Sequence, residues 1–226
     1  MTELKRDPEN LFPWVTDAGA SYAEAKTHSA WVDERLGIAV EATEAAIARR
    51  HAGVLRAPGV QHWIGLPPET LLTPYTEFRA LLERVRPAPG DTVVDLGAGY
   101  GRMGFVLHAH FPETRFWGYE VVAERVEEGR LALARHGCAR AELFLQDLAS
   151  PGFELPAARI YFLYDYGSRE AIAGTLEDLK RIARTREILV IGRGRAARDA
   201  IEREHPWLSQ VVPPEHGPNS SIYRTR

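Results

Sequence analysis

From residue 91 onward, short apolar segments alternate along the chain with segments of helical periodicity. Strands are predicted at 92–96, 115–120, 141–146, 159–165 and 187–191, with two closing strands at 207–212 and 220–224. Strands that are apolar on both faces and alternate with helices are typical of a parallel sheet covered by helices on both sides. We therefore predict a doubly wound, mostly parallel seven-stranded sheet of the α/β class.

The first 70 residues have a different pattern and are predicted to form an N-terminal helical extension. Segments 18–36 and 38–55 are rich in Ala, Glu and Arg, which favour helices. Glycines and prolines between 56 and 68 predict a loop. The predicted organisation is a helical extension or lid at 1–70, followed by a cofactor-binding domain at 71–226.

The composition of the 226 residues narrows the possible partners and location. A formal net charge of -3 argues against a dedicated nucleic-acid binder. The single cysteine, Cys138, allows no disulfide framework and no cysteine-based zinc site, and we predict no metal site. No apolar run approaches the roughly 18 residues of a membrane helix, and the start MTELKRDPEN lacks the apolar core of a secretory signal. We expect a cytoplasmic protein without a membrane partner, whose oligomeric state the sequence leaves open.

A glycine-rich turn follows the first predicted strand, in the sequence DLGAGYGRMG that begins at Asp95. A strand, such a turn and a helix form the nucleotide-binding corner of a doubly wound sheet, where glycine lets the backbone approach a ligand closely. The segment from Gly99 to Gly104 formally fits G-x-G-x-x-G, the dinucleotide pattern. An NAD-dependent oxidoreductase is therefore one interpretation.

Three features favour S-adenosylmethionine over a dinucleotide. Asp95 would repel a pyrophosphate, but it suits the sulfonium and the amino group of a methionine moiety. Asp147 follows the third strand, where it can accept the adenine amine while Leu148 packs on the ring. The fingerprint occurs in only one β-α-β half, and the two closing strands suit a seven-stranded sheet. Glu120, at the end of the second strand, can accept hydrogen bonds from a ribose diol.

The segments VVDLGAGYGRMG, FWGYE and LFLQDL resemble the class I S-adenosylmethionine-dependent methyltransferases. The resemblance covers about residues 72–226 and implies a Rossmann-like methyltransferase fold with S-adenosylmethionine as cofactor. It implies that the turn binds the methionine part, that Glu120 binds the ribose, and that Asp147 and Leu148 reach the adenine, with Asp95 as the acid before the glycines. The turn residues that it assigns to the cofactor are Gly97, Ala98, Gly99, Tyr100 and Gly101.

The helix predicted from Thr73 resembles a region of the lysine-methylating branch that lies over the methionine of the cofactor. Thr73 and Tyr75 are the matching positions. The alternative is a plain N-cap at Thr73, with Pro74 as the first helical residue, and a packing role for Tyr75.

The fourth strand ends in Tyr164, Asp165 and Tyr166, and the resemblance implies that this end faces the methyl group. Asp165 is the candidate to orient or deprotonate the acceptor, and the two tyrosines are candidates for the walls of its pocket. The alternatives are packing for the tyrosines and an N-cap of the following helix for Asp165. The Asn/Asp-Pro-Pro-Tyr signature of exocyclic-amine methylation on adenine or glutamine is absent from the sequence.

These features predict a methyltransferase that acts on nitrogen or oxygen of a small molecule or of a protein or peptide side chain. A protein-lysine methyltransferase is the alternative within the class. An NAD-dependent oxidoreductase and a non-catalytic module that binds S-adenosylmethionine are the alternatives from other classes. Arg193, Arg195 and Arg198 are offset by neighbouring acids, and we interpret them as a solvated helix face.

Overall fold

The computed structural model describes residues 4–15, 20–52 and 63–226. The helices are α1 Tyr22–Leu36, α2 Val40–Arg50, α3 Pro68–Leu71, α4 Tyr75–Val85, α5 Arg102–His110, α6 Ala123–Arg135, α7 Arg169–Ala183 and α8 Arg195–Glu204. The strands are β1 Thr92–Leu96, β2 Arg115–Glu120, β3 Ala141–Leu145, β4 Ile160–Tyr164, β5 Leu189–Arg193, β6 Glu215–His216 and β7 Ser220–Arg224. Within these residues, no helix combines the length and the apolar character that crossing a bilayer requires.

The strands form one seven-stranded sheet in the order β3-β2-β1-β4-β5-β7-β6. The first five are parallel, whereas β7 runs antiparallel to both β5 and β6. The order reverses direction after β1, so the carboxyl ends of β1, β2 and β4 meet at the place where open α/β sheets bind ligands. The predicted fold class is confirmed.

The predicted strand at 207–212 is wrong. Pro206–Leu208 forms a short 3-10 helix, which buries Leu208, while Val211 is 70% exposed. Besides β5, β7 pairs with the two-residue strand β6, which lies beyond Pro213 and Pro214. Proline has no backbone N–H to donate, which explains why pairing starts only after this pair.

The sheet buries both of its faces, as its near-continuous apolar strands predict. Alternate residues of β1 divide between two cores: Val93 packs with α4, α5 and α6, whereas Val94 and Leu96 pack with α7 and α8. Because successive side chains point to opposite faces, the apolar strands are sandwiched between these helices.

The N-terminal extension is tied to the sheet domain by buried charges. Helix α1 packs against α4, and α2 against α3 and α6. Asp33 of α1 pairs with Arg102 at the start of α5, and Glu44 of α2 pairs with Arg125 of α6 over 2.7 Å. Of the predicted helices, residues 18, 19 and 53–55 lie outside the described part of the chain, as do residues 56–62 of the predicted loop.

Candidate active site

The glycine-rich turn joins β1 to α5 and adopts positive φ at Gly97, where φ is 89°. A Cβ atom at this position would lie 2.5 Å from the Cβ of Tyr166, so a larger residue does not fit there. The backbone amides of Gly97 and Ala98 both donate to the carbonyl of Tyr119, each over 2.9 Å. The turn is therefore held against the end of β2 on one side and against the segment after β4 on the other.

The carboxylate of Glu120 lies next to this turn and is only 6% exposed. One oxygen accepts from the amide of Gly99 over 3.0 Å. The other accepts from the amides of Val121 and Val122, each over 2.9 Å. Nη1 of Arg125 lies 3.8 Å from the same oxygen. A carboxylate has about four acceptor directions, so these three amides leave about one for a ligand.

The carboxyl group of Asp95 is buried beneath the turn, with 2% of the residue exposed. Within the described residues its Oδ1 has no hydrogen-bond partner. Burial, reinforced by the charge of Glu120, raises the pKa of Asp95 to about 8. The ionised form of Asp95 is therefore disfavoured here, and a cationic group beneath the turn would stabilise it.

A cavity of about 320 Å³ opens at the carboxyl ends of β1, β2, β3 and β4. It is lined by eight of the residues singled out from the sequence: Gly97, Gly99, Glu120, Asp147, Leu148, Tyr164, Asp165 and Tyr166. Asp147 is exposed in the cavity wall, and its Oδ1 accepts from the amide of Ala149 over 2.9 Å. The structure thus brings together residues that lie up to about 70 positions apart in sequence.

Other predicted cofactor residues lie away from this cavity. Tyr75 is fully buried, and its hydroxyl donates to Asp33 over 2.8 Å. Thr73 is also buried, and its carbonyl accepts from Arg102 over 3.0 Å. Helix α4 has Pro74 at its N-cap position and no side-chain cap, so Thr73 does not cap it. Of the two interpretations of Tyr75, the structure therefore agrees with a packing role, because a fully buried ring has no surface left for a cofactor.

Three other residues of the turn also lie outside the lining of the cavity: Ala98, Tyr100 and Gly101. Tyr100 is fully buried and its hydroxyl donates to Glu44 over 2.8 Å. Gly101 has a φ of 74° and occupies the N-cap position of α5, and a Cβ there would meet the side chain of Leu143 at 3.0 Å. These residues shape the turn from behind, whereas Gly97 and Gly99 face the cavity.

The end of β4 has a backbone bend at Asp165, whose φ is 23°. This bend turns the carboxylate towards α8, where its two oxygens accept from the amides of Ala197 over 2.8 Å and Ala196 over 3.3 Å. The predicted cap of the following helix is wrong, since Ser168 caps α7, and Asp165 instead accepts from amides in the first turn of α8. Both oxygens of the candidate base are engaged with backbone donors.

The two tyrosines beside Asp165 are also hydrogen-bonded. The hydroxyl of Tyr164 donates to the carbonyl of Thr70 over 2.9 Å. The hydroxyl of Tyr166 lies 2.5 Å from that of Thr175 in α7. Burial raises the pKa of Tyr166 to about 12, so its phenol is neutral at physiological pH. Neither hydroxyl is positioned as a base towards the cavity.

Residues 63–72, which we call the cover segment, close one side of the cavity. Trp63 has a φ of 49°, and its indole Nε1 donates to the carbonyl of Asp165 over 2.7 Å. Leu66, Thr70, Leu71 and Leu72 also line the cavity. Sequence reasoning did not assign Trp63 or Arg125 to the site. Their signal was weak, because a tryptophan in a loop and an arginine in a helix are ordinary residues.

The interpretation of Arg193 as part of a solvated helix face is wrong. Arg193 ends β5 and is 3% exposed. It donates to both oxygens of Glu77 over 2.9 and 3.0 Å, and its guanidinium lies 4.1 Å from the centre of the Tyr164 ring. Arg195 remains exposed on α8. The paired guanidinium therefore packs on the ring of Tyr164.

The sequence matches a known family over part of the residues that line this cavity. A model of the family described as methyltransferase small domain matches residues 77–157, from α4 to the loop after β3. A search of curated proteins finds no match. The family match agrees with the second of the two cofactor interpretations that the glycine turn left open.

Solved structures share the fold. The precorrin-6y C5,15-methyltransferase of Geobacter metallireducens has a TM-score of 0.51 and 16% identity, over 70% of this chain and 90% of that chain. TrmN from Thermus thermophilus has a TM-score of 0.50 and 17% identity, over 68% of this chain and 48% of that one. An RNA methyltransferase from Salinibacter ruber in complex with S-adenosyl-L-homocysteine has a TM-score of 0.48 and 18% identity, over 68% and 91%. These likenesses leave the acceptor open, nucleic acid included.

Proposed function

We propose that this chain, a class I S-adenosylmethionine-dependent methyltransferase, transfers the methyl group of S-adenosylmethionine to a nitrogen atom. The acceptor is a small molecule or a protein side chain. The cofactor's methionine part would lie at Gly97 and Gly99, its ribose at Glu120, and its adenine beside Asp147 and Leu148. In support, these residues line one cavity in the order of β1, β2 and β3.

The number of hydrogen bonds that Glu120 can accept from the ribose is set by its free acceptor directions. Three are taken by backbone amides, which leaves about one for a ribose hydroxyl. We therefore expect one strong, charge-assisted hydrogen bond to the ribose, rather than the two that a free carboxylate would accept.

The preference for nitrogen rests on the carboxylate of Asp165. An alcohol must lose its proton as it attacks the methyl carbon, so its methylation benefits from a nearby general base. A neutral amine attacks with its lone pair and can release the proton to water afterwards. Both oxygens of Asp165 are bound to amides of α8, so alignment of an amine with the methyl group is the catalysis that this geometry supports best.

The size of the acceptor is limited by the cover segment. Trp63 donates to the carbonyl of Asp165, and Tyr164 donates to the carbonyl of Thr70. Together with Tyr166, these two side chains form an aromatic wall of the cavity. Such a wall suits a slender amine, either free or at the end of a side chain, because aromatic faces also stabilise a developing positive charge. We place the lid function in this segment, since α1 and α2 are packed away on the sheet domain.

Methyl transfer from isotope-labelled S-adenosylmethionine tests this function directly. The purified chain would be incubated separately with metabolite, protein and nucleic-acid fractions of a cell extract. Mass spectrometry of the labelled product would then locate the new methyl group. A Glu120→Ala variant, assayed in parallel, controls for background methylation in the extract.

We expect the label on an amine nitrogen in the metabolite or the protein fraction. Label on an alcohol or phenol oxygen would overturn the preference for nitrogen. Label in the nucleic-acid fraction would overturn the acceptor class. Tight cofactor binding with no label in any fraction would indicate a non-catalytic binding module.

A further inference from the structure

Helix α2 of the N-terminal extension places one carboxylate, Glu44, behind the cofactor cavity. The residue is 6% exposed. Its Oε1 accepts from the hydroxyl of Tyr100, in the glycine turn, over 2.8 Å. Its two oxygens also accept from Nε and Nη2 of Arg125 over 2.7 and 3.0 Å. Glu44 therefore links the extension to Arg125, which lines the cavity, and to Tyr100, which lies behind the glycine turn.

Arg125 stands between two carboxylates. Its guanidinium faces Glu44 with two hydrogen bonds, while its Nη1 is 3.8 Å from Glu120, beyond hydrogen-bond distance. It lines the cavity, and its Nη2 lies 3.4 Å from the carbonyl of Trp63 in the cover segment. Because a buried guanidinium stays charged, it pairs with whichever carboxylate is available.

We propose that Glu44 is a positioning residue for the ribose end of the cofactor, acting by holding Arg125 away from Glu120. When Glu44 is replaced by glutamine, the nearest carboxylate for Arg125 is Glu120. Arg125 faces Oε1 of Glu120, which already accepts from two amides, so a closer ion pair would draw Glu120 towards Arg125 and turn Oε2, the oxygen with the open acceptor direction, away from the ribose. The cofactor would then lose its ribose contact, although no residue that touches the ribose has changed. This inference rests on the proposed contact between Glu120 and the ribose.

Ribose discrimination separates this role from a merely structural one. Calorimetry would measure the Kd of S-adenosylhomocysteine and of two analogues, each lacking one ribose hydroxyl. In the wild type we expect one analogue to bind about tenfold more weakly, the effect of one charge-assisted hydrogen bond. In Glu44→Gln, we expect the complete ligand to bind about tenfold more weakly, and the analogues to be distinguished by less than about threefold.

A double variant provides the rescue. Glu44→Gln combined with Arg125→Gln removes the competing cation together with its partner, so the open acceptor direction of Glu120 faces the ribose again. We expect the discrimination to return to within about twofold of wild type. The double variant removes both members of the buried ion pair together, so it remains informative if the single variant does not fold. Glu41→Gln, on the exposed side of the same helix, is the matched control and should behave as wild type.

Two results would overturn the inference: wild-type discrimination in Glu44→Gln, or a double variant that distinguishes the ligands as poorly as the single one. Glu120→Gln separates these failures from a failure of the proposed function. If Glu120→Gln keeps full ribose discrimination, then the ribose contact itself is misplaced. If Glu120→Gln loses it while Glu44→Gln keeps it, then only the role of Glu44 is wrong.

Discussion

Asp95→Asn should change how the stability of the ligand-free protein depends on pH. Asp95 is buried beneath the glycine turn, and its pKa is raised from 3.8 to about 8 by burial and by the charge of Glu120. The protonated form is therefore favoured in the folded state. Asparagine has nearly the same shape as the protonated acid but has no charge to titrate.

The sign and size follow from proton linkage. Between pH 4 and pH 8 the unfolded chain binds fewer protons at Asp95 than the folded chain, so the free energy of unfolding falls as pH rises. The contribution of Asp95 is fully present below pH 4 and is lost as pH rises through about 8. Over the three pH units from 4 to 7 the loss is roughly 4 kcal/mol, at 1.36 kcal/mol per unit.

Urea unfolding of both proteins at half-unit steps from pH 4 to pH 8.5 measures this effect. The difference between variant and wild type should be near zero at pH 4, and should grow in favour of the variant to roughly 4 kcal/mol at pH 7. Asp7→Asn, in the exposed N-terminal segment, controls for surface effects of the same exchange. A difference that stays flat across this range would refute the raised pKa and the account of the buried acid pair.

Three further substitutions test the rest of the site. Glu120→Ala should weaken cofactor binding at least tenfold in calorimetry, and should lower the free energy of unfolding because three backbone amides lose their acceptor. Asp165→Asn retains only one of the two bonds to the amides of α8, so it should lower the free energy of unfolding but keep kcat within about threefold; a fall of about 10²-fold would instead indicate a general base. Trp63→Phe removes the hydrogen bond to the Asp165 carbonyl and should speed cofactor dissociation about fivefold in stopped-flow measurements. An unchanged dissociation rate would show that the cover segment does not retain the cofactor.

The sheet could be predicted from the sequence because its signals are local. Strands β1 and β2 have the predicted bounds, since apolar runs bounded by turn residues identify buried strands without knowledge of their partners. The error at 207–212 has the same origin. Trp207, Leu208 and Val211 look like part of a strand, but the prolines at 213 and 214 move the pairing to β6. A strand that pairs for only two residues leaves almost no pattern in the sequence.

The meeting of Gly97, Glu120 and Asp147 in one cavity was predictable because parallel strands bring their carboxyl ends together. Gly97, Glu120 and Asp147 each follow or end a strand, so strand order alone predicts that they meet. The direction of the Asp165 carboxylate was not predictable in the same way. It depends on a positive φ at its own position and on amides of α8, about 30 residues later in the chain.

The hydrogen bonds at the extension limit which part of the chain can open for cofactor exchange. Moving α1 and α2 away from the sheet domain would separate two buried ion pairs, Asp33 with Arg102 and Glu44 with Arg125. Breaking a single buried pair of this kind costs about 3–5 kcal/mol. Lifting residues 63–70 breaks the hydrogen bonds of the Trp63 indole and of Tyr164 and the longer one from Nη2 of Arg125 to the carbonyl of Trp63, at about 1 kcal/mol each, and it exposes Ile64. Opening at residues 63–70, with the carbonyl of Leu72 still held by Lys26, is therefore favoured over movement of the whole extension, and it leaves the bonds between Glu44 and Arg125 intact.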